Sequence, residues 1–360
     1  MTDDISSYEL QLSTVTGSIV GTDPDAEIAA WKRLDSLTKP PRSLGRLEDI
    51  AARVARVQGT DRPSCGRKVI VVAAGDHGVV AEGVSPYPQD VTWQMVANFA
   101  NGGAAINQIA ASVGADVVVY DVGVACDVSH IEGVIVRKVA PGTANMALGP
   151  AMSREECAQA VLEGVSAARE LAQRGYSLIG TGEMGIGNTT SASALTAVFA
   201  GAAAETVVGR GTGLDDSGVA HKTQVVSQAV LVNRATELDS LGVLSALGGY
   251  EIAALAGVMI GCAQERVVVV VDGFISGAAA MAAVALCPAV RDYLLPSHLS
   301  AEPGHAVQME ALGLRPVIEL DMRLGEGTGA ALAFALVDAA CRVMSGMATF
   351  AEAGVSEQAQ

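Results

Sequence analysis

The segment Gly180-Thr181-Gly182-Glu183-Met184-Gly185-Ile186-Gly187-Asn188-Thr189-Thr190 sets four glycines between a run that reads as a strand and a run that reads as a helix. Glycine tolerates positive φ and close backbone approach, while a helix N-terminus offers unpaired N–H groups and the positive end of a dipole. Such a turn suits a phosphate. Gly180, Gly182 and Gly185 satisfy GxGxxG, and Glu205 follows about twenty residues on, yet no apolar strand leads into that acid as a dinucleotide site requires. Gly182 to Gly187 has Walker A spacing, but Asn188 stands where the lysine belongs. The plainest alternative is a strand-to-helix turn with no ligand.

A second glycine turn, Gly209 to Gly213, precedes Asp215, Asp216 and Lys222. The aspartates suit helix capping, and Lys222 suits either a phosphate or the surface. Asp76-His77-Gly78 looks like half of a dyad or metal site, but no HxH or HxxxH spacing accompanies it. The stretch Gly83 to Gln94, GVSPYPQDVTWQ, offers hydroxyls, amides and a flat aromatic, which fits either a planar heterocycle or a rigid connector. Glu326 stands between Gly325 and Gly327 ahead of an apolar helix. A desolvated carboxylate there would be raised in pKa and suited to general-base work; a first-turn helix cap is the equal alternative.

These residues need a scaffold. From Lys68 onward, short β-branched runs alternate with helical segments: strands at Lys68 to Ala74, Asp116 to Asp121, Val134 to Val139, Ser177 to Gly180 and Arg266 to Asp272. Helices are expected from Asp90 to Ser112, Ser153 to Arg174, Asn188 to Ala200, Asp215 to Asn233, Gly249 to Gln264, Ile275 to Leu286 and Gly327 to Met344. Apolar runs without in-out alternation predict an α/β fold with a doubly wound, mostly parallel, Rossmann-like sheet covered on both faces. Ligands bind such sheets beyond the carboxyl ends of the strands, where the glycine and polar clusters fall.

Composition narrows the classes further. The 360 residues exceed the usual single core, so a large domain with a smaller companion is expected. A net charge of −16 and the lack of a Lys/Arg cluster argue against nucleic acid and anionic membranes as partners. The six cysteines are scattered, with no zinc spacing, and read as reduced core residues. The N-terminus is acidic and polar rather than signal-like, and no uncharged apolar run reaches the roughly 18 residues of a membrane span. A cytoplasmic location is expected.

Taken together, KPPRSLGRLE (Lys39 to Glu48), AGDHGVVAEGVSPYPQDVT (Ala74 to Thr92), NGGAAIN, GTGEMGIGNTT, GRGTGLDD, VDGFISGAAA, SHLSAEPGH (Ser297 to His305) and RLGEGTGAALA (Arg323 to Ala333) span nearly the whole chain. They resemble, in order, the nicotinate-nucleotide:dimethylbenzimidazole phosphoribosyltransferase family of cobalamin biosynthesis. The resemblance implies transfer of phosphoribosyl from nicotinate mononucleotide to 5,6-dimethylbenzimidazole or a related base, in a homodimer without metal or organic cofactor.

It also implies roles: Glu326 as general base; Glu183, Gly185, Gly187, Gly213, Lys222 and Ser300 around the ribose phosphate; and Ser85, Tyr87, Gln89 and Gln94 around the base. The expected division is a frayed start at 1–24, a small helical domain drawn from both chain ends (25–66 and 327–350), a large α/β domain at 67–326 and a tail at 351–360. A non-catalytic nucleotide-binding regulator and an NAD-dependent oxidoreductase are the competing readings.

Overall fold

A computed structural model describes residues 6–356; residues 1–5 and 357–360, with parts of the expected frayed start and tail, lie outside the described residues. Six parallel strands form the sheet: β1 (Arg67–Gly75), β2 (Ala115–Gly123), β3 (Val134–Val136), β4 (Tyr176–Met184), β5 (Val268–Val271) and β6 (Leu294–Pro296). Their order is β3-β2-β1-β4-β5-β6. The chain therefore runs outward from β1 to one edge, crosses back, and runs outward again from β4. The crevice between the carboxyl ends of β1 and β4 is the switch point of this doubly wound order. Valine-rich β1 and β5 are buried on both faces, as their unbroken apolar runs require.

The helices expected after Ser153, Asn188, Asp215, Gly249, Ile275 and Gly327 form within two residues of their expected limits. Ser153 and Glu156 close the expected capping box. The run from Asp90 to Ser112 is two helices, Val91–Ala100 and Ala105–Ser112, because Gly102 adopts φ 76° between them. β3 is shorter than expected. The sequence pattern does not predict β6, because three residues ending in proline give no periodic signal.

The glycine segment is the larger correction. β4 does not stop at Gly180 but runs on through Met184, so the first half of the supposed loop is strand. Gly180 and Gly182 alternate onto one face, where a Cβ at 180 would strike Ile70 and one at 182 the Glu326 carbonyl. Here glycine serves close packing: the helix Thr328–Gly346 lies almost directly on the strand backbone.

The expected frayed start contains the helix Ser7–Gly17. The Ser6 hydroxyl accepts from Glu9 N (3.2 Å), and Glu9 pairs with Arg154 at 2.9 Å on the helix Arg154–Gln173. Only Leu12 is fully buried, so docking rather than an apolar stripe holds this helix, and the sequence shows no period. Helices Pro24–Ser36 and Arg46–Gln58 pack with Thr328–Gly346. The KPPR turn between the first two is fixed by a buried pair, Lys39 to Glu48 at 3.1 Å.

Among the described residues, Thr328–Gly346 is the one helix of membrane-spanning length and apolarity (19 residues, mean hydropathy 1.4), but it carries Asp338 and Arg342 and packs on the sheet. The cysteines depart from expectation in part: Cys126 is exposed and Cys65 half-buried, with its Sγ 3.4 Å from that of Cys341.

Candidate active site

A cleft of about 650 Å³ opens beyond the carboxyl ends of β4 and β5. Glu183, Gly185, Tyr87, Ser300 and Glu326 line it, as do Asn188, Thr189, Gly211, Asp272 and Glu302. Gly187 sits behind the wall against His77 and Val80, and its φ of 94° starts the helix Asn188–Ala200. Lys222 is fully buried one contact back, its Nζ donating to Thr189 Oγ1 at 2.7 Å. Gly213, Ser85, Gln89 and Gln94 do not line the cleft. Gln94 is exposed, and the Ser85 hydroxyl accepts from Tyr87 N at 3.2 Å.

Gly325, Glu326 and Gly327 have φ of 85°, 62° and 90°, three successive residues in the left-handed region. The two glycines adopt it at little cost; for Glu326 it is a strained state that its surroundings must impose. Asp272, at the end of β5, accepts from Gly327 N (3.1 Å) and Ala330 N (3.0 Å), so an acid from another strand caps the helix Thr328–Gly346. The Glu183 carboxylate accepts the backbone N–H of Glu326 and the side-chain amide of Asn188. The turn at Glu326 and the start of the helix after it are thus held from the ends of two strands.

Glu326 as a whole is 7% exposed. One contact of its carboxylate is the backbone N–H of Ile106, in the first turn of Ala105–Ser112, while Oε2 is buried with no hydrogen-bond partner. Burial raises its pKa and the Asp272 charge adds to this, against the Ile106 N–H. Burial pushes Glu183 up to about 8, helped by the charges of Glu251 and Asp272, so it holds a proton at neutral pH. Lys222 is drawn down to about 8 by burial, with Glu302 opposing.

His77 belongs to neither a metal site nor a hydrolytic dyad. It lies beneath Gly185, its Nε2 2.6 Å from Glu251 Oε1; burial, the largest single influence, lowers its pKa, but the charge and hydrogen bond of Glu251 together with the charge of Asp76 raise it overall. Asp76 accepts from Ala125 N at 2.7 Å. Among the described residues no three His, Cys, Asp or Glu side chains gather as metal donors. Glu205 lies in the short helix Ala204–Val207, not at the end of a strand, which removes the basis of the dinucleotide reading. Ser300 N donates to His305 Nδ1 at 2.9 Å; burial, then His298, holds His305 at about 3, so it stays neutral and able to accept.

Four cleft residues escape the sequence reading although their segments do not: Asn188, Thr189, Asp272 and Glu302. An acid directly after the strongest apolar run is a usable signal for Asp272. Nothing local marks Glu302, whose importance comes from a glycine turn about ninety residues earlier in the chain.

Comparison with known proteins identifies the family and the fold. The model of a family described as phosphoribosyltransferase matches residues 19–355. The nicotinate-nucleotide--dimethylbenzimidazole phosphoribosyltransferase of Desulforamulus reducens is 50% identical over 96% of this chain and 99% of its own length. That of Desulforudis audaxviator is 52% identical over 93% and 95%. The crystal structure of CobT from Thermus thermophilus superposes with a TM-score of 0.90 at 50% identity, covering 93% of this chain and all of that one. With the same fold along nearly its whole length and half its residues in common, the chain belongs to the nicotinate-nucleotide:dimethylbenzimidazole phosphoribosyltransferase family.

Proposed function

We propose that this enzyme transfers the phosphoribosyl group of nicotinate mononucleotide to 5,6-dimethylbenzimidazole or a related base, giving α-ribazole 5′-phosphate and nicotinate. The observation that carries the reading is the Glu326 carboxylate: buried at the cleft, raised in pKa, its Oε2 without a partner. Nicotinate mononucleotide already carries a pyridinium, so its ring leaves as neutral pyridine nitrogen without an acid. The nucleophile is what needs help. Glu326 takes the N–H proton of the imidazole ring, and the other nitrogen attacks C1′ as the C1′–pyridinium bond breaks. Attack from the face opposite the departing ring inverts C1′ and turns a β-nucleotide into an α-product.

In this reading the phosphate end of the cleft is formed by Gly185, Thr189, Gly211 and Ser300, with Lys222 supplying charge through Thr189. Gly187 and Gly213 shape the turns behind it. The base lies beside Tyr87, Val91, Met95 and Leu324, an apolar wall near Glu326, while Ser85, Gln89 and Gln94 stand farther out on the same segment. A homodimer in the cytoplasm belongs to the same proposal, as does a small domain of residues 25–66 and 327–350, supported by the packing of their helices.

The test is a product assay: nicotinate mononucleotide with and without dimethylbenzimidazole, following nicotinate release and the anomeric configuration of the product. Base-dependent release with an α-product is expected. Binding without release would leave only a regulator.

A further inference from the structure

We propose that Glu302 is a positioning residue for the phosphate end of the cleft, fixing the Gly209–Gly213 turn and keeping Lys222 charged in the interior. This rests on reading that end as the nucleotide-phosphate site.

Glu302 is buried, precedes the helix Pro303–Leu312, and lines the cleft. Its Oε1 accepts from Gly211 N at 3.0 Å, and its Oε2 is buried without a hydrogen-bond partner. The carbonyl of Gly211 accepts in turn from Arg323 Nη1 at 3.0 Å, three residues before Glu326. A Cβ at position 211 would lie 2.9 Å from Thr189 Oγ1 and 3.3 Å from Lys222 Nζ, so the turn lies directly over the buried ammonium. Glu302 therefore holds by one oxygen the turn that covers the ammonium, near enough for its charge to act on Lys222.

Lys222 needs that charge. Its hydrogen-bond partner is the neutral hydroxyl of Thr189, and among the described residues no carboxylate pairs with it within 4.0 Å. A buried ammonium so placed loses its proton readily unless a counter-charge stands near. The other charged groups around it are committed elsewhere. Arg210 is turned to Asp216 and to Leu214 O, Arg323 to Gly211 O, His221 to Glu82 O, Asp215 to the first turn of its own helix, and Glu183 to Asn188. Glu302 is the carboxylate that supports protonated Lys222.

Glu302→Gln separates the two roles, because its amide oxygen can still accept from Gly211 N while the charge is gone. The experiment is the pH dependence of kcat/KM for nicotinate mononucleotide in the full-length enzyme, which reports groups of the free protein. Glu183, also at about 8, lines the same cleft, so every profile is recorded in a Glu183→Gln background, where Lys222, drawn down to about 8, is expected to set the alkaline limb. In Glu302→Gln that limb moves to lower pH by about one unit, so kcat/KM falls about fivefold at pH 8 and approaches tenfold at higher pH, with the loss carried mainly by KM. Glu302→Asp keeps the charge but shortens the reach, raising KM with the limb in place. Lys222→Met removes the limb, and adding Glu302→Gln to it causes no further change in pH dependence.

A Glu302→Gln profile that superimposes on the parent's overturns the proposal. So does a Glu302→Asp limb displaced like that of Gln, or an alkaline limb that survives in Lys222→Met. If the parent itself releases no nicotinate, it is the assigned activity that fails.

Discussion

The end of β4 and the turn at Gly325–Gly327 each bring one buried carboxylate to the same cleft, and the two are built for opposite tasks. Glu183 stands on a strand, its oxygens committed to Asn188 and to the backbone of Glu326, and burial among other acids keeps it protonated at neutral pH. Glu326 stands on a strained left-handed turn with one oxygen left over. The satisfied acid holds the unsatisfied one. Burial, which both acids share, does not distinguish them; which hydrogen bonds are left unmade does, and under the proposed function that is what frees Glu326 to act.

The sharpest way to break that contrast is Glu326→Gln, which keeps shape and removes the base. Turnover in the nicotinate-release assay should fall about 10²- to 10⁴-fold with little change in nucleotide KM; near-normal turnover would sink the assignment of Glu326. Next comes Gly325→Ala. Its new Cβ meets Glu183 Oε1 in a backbone state with φ 85°, so it disturbs both acids together. A stability loss of about 1–3 kcal/mol in denaturant unfolding is expected, with a drop in kcat larger than the rise in KM.

The smallest effect at neutral pH belongs to Glu183→Gln. Gln resembles the protonated acid, so activity at pH 7 should change little; a loss matching Glu326→Gln would abolish the distinction. Its signature is in stability. The folded pKa of Glu183, about 8, lies above its ordinary value of 4.5. Its protonated form is favoured by folding, and that contribution is complete below 4.5 and lost as pH rises to 8. Glu183→Gln should therefore gain stability over the parent progressively across that window and hold the gain above it, as read by thermal melts at several pH values.

Much of this was legible in the sequence, for reasons that differ by element. β1, β5 and the major helices announce themselves by period and by valine content, and the resemblance of the glycine and acid segments led to the family. Gly180 and Gly182 misled because a glycine needed for backbone contact across a sheet looks, in one dimension, like a glycine needed for a turn. Ser7–Gly17 and β6 were invisible because partners far along the chain, not their own composition, hold them in place. The same holds within the cleft: Asp272, Glu302 and Ile106 act on Glu326 or Lys222 across separations of fifty to more than two hundred residues, which no local pattern encodes.

The helix that carries Glu326 is held at both ends. Asp272 takes the N–H groups at its start, and Arg33 takes carbonyls at its finish, with Nε 2.7 Å from Met344 O. Between them its small-residue face rests on the glycines of β4, so the 19-residue helix, about 28 Å long, behaves as a strut rather than a spring. The Glu326 turn therefore moves with the hydrophobic core and has almost no freedom of its own. Adjustment of the cleft's shape is left to its half-exposed wall, where Tyr87 stands.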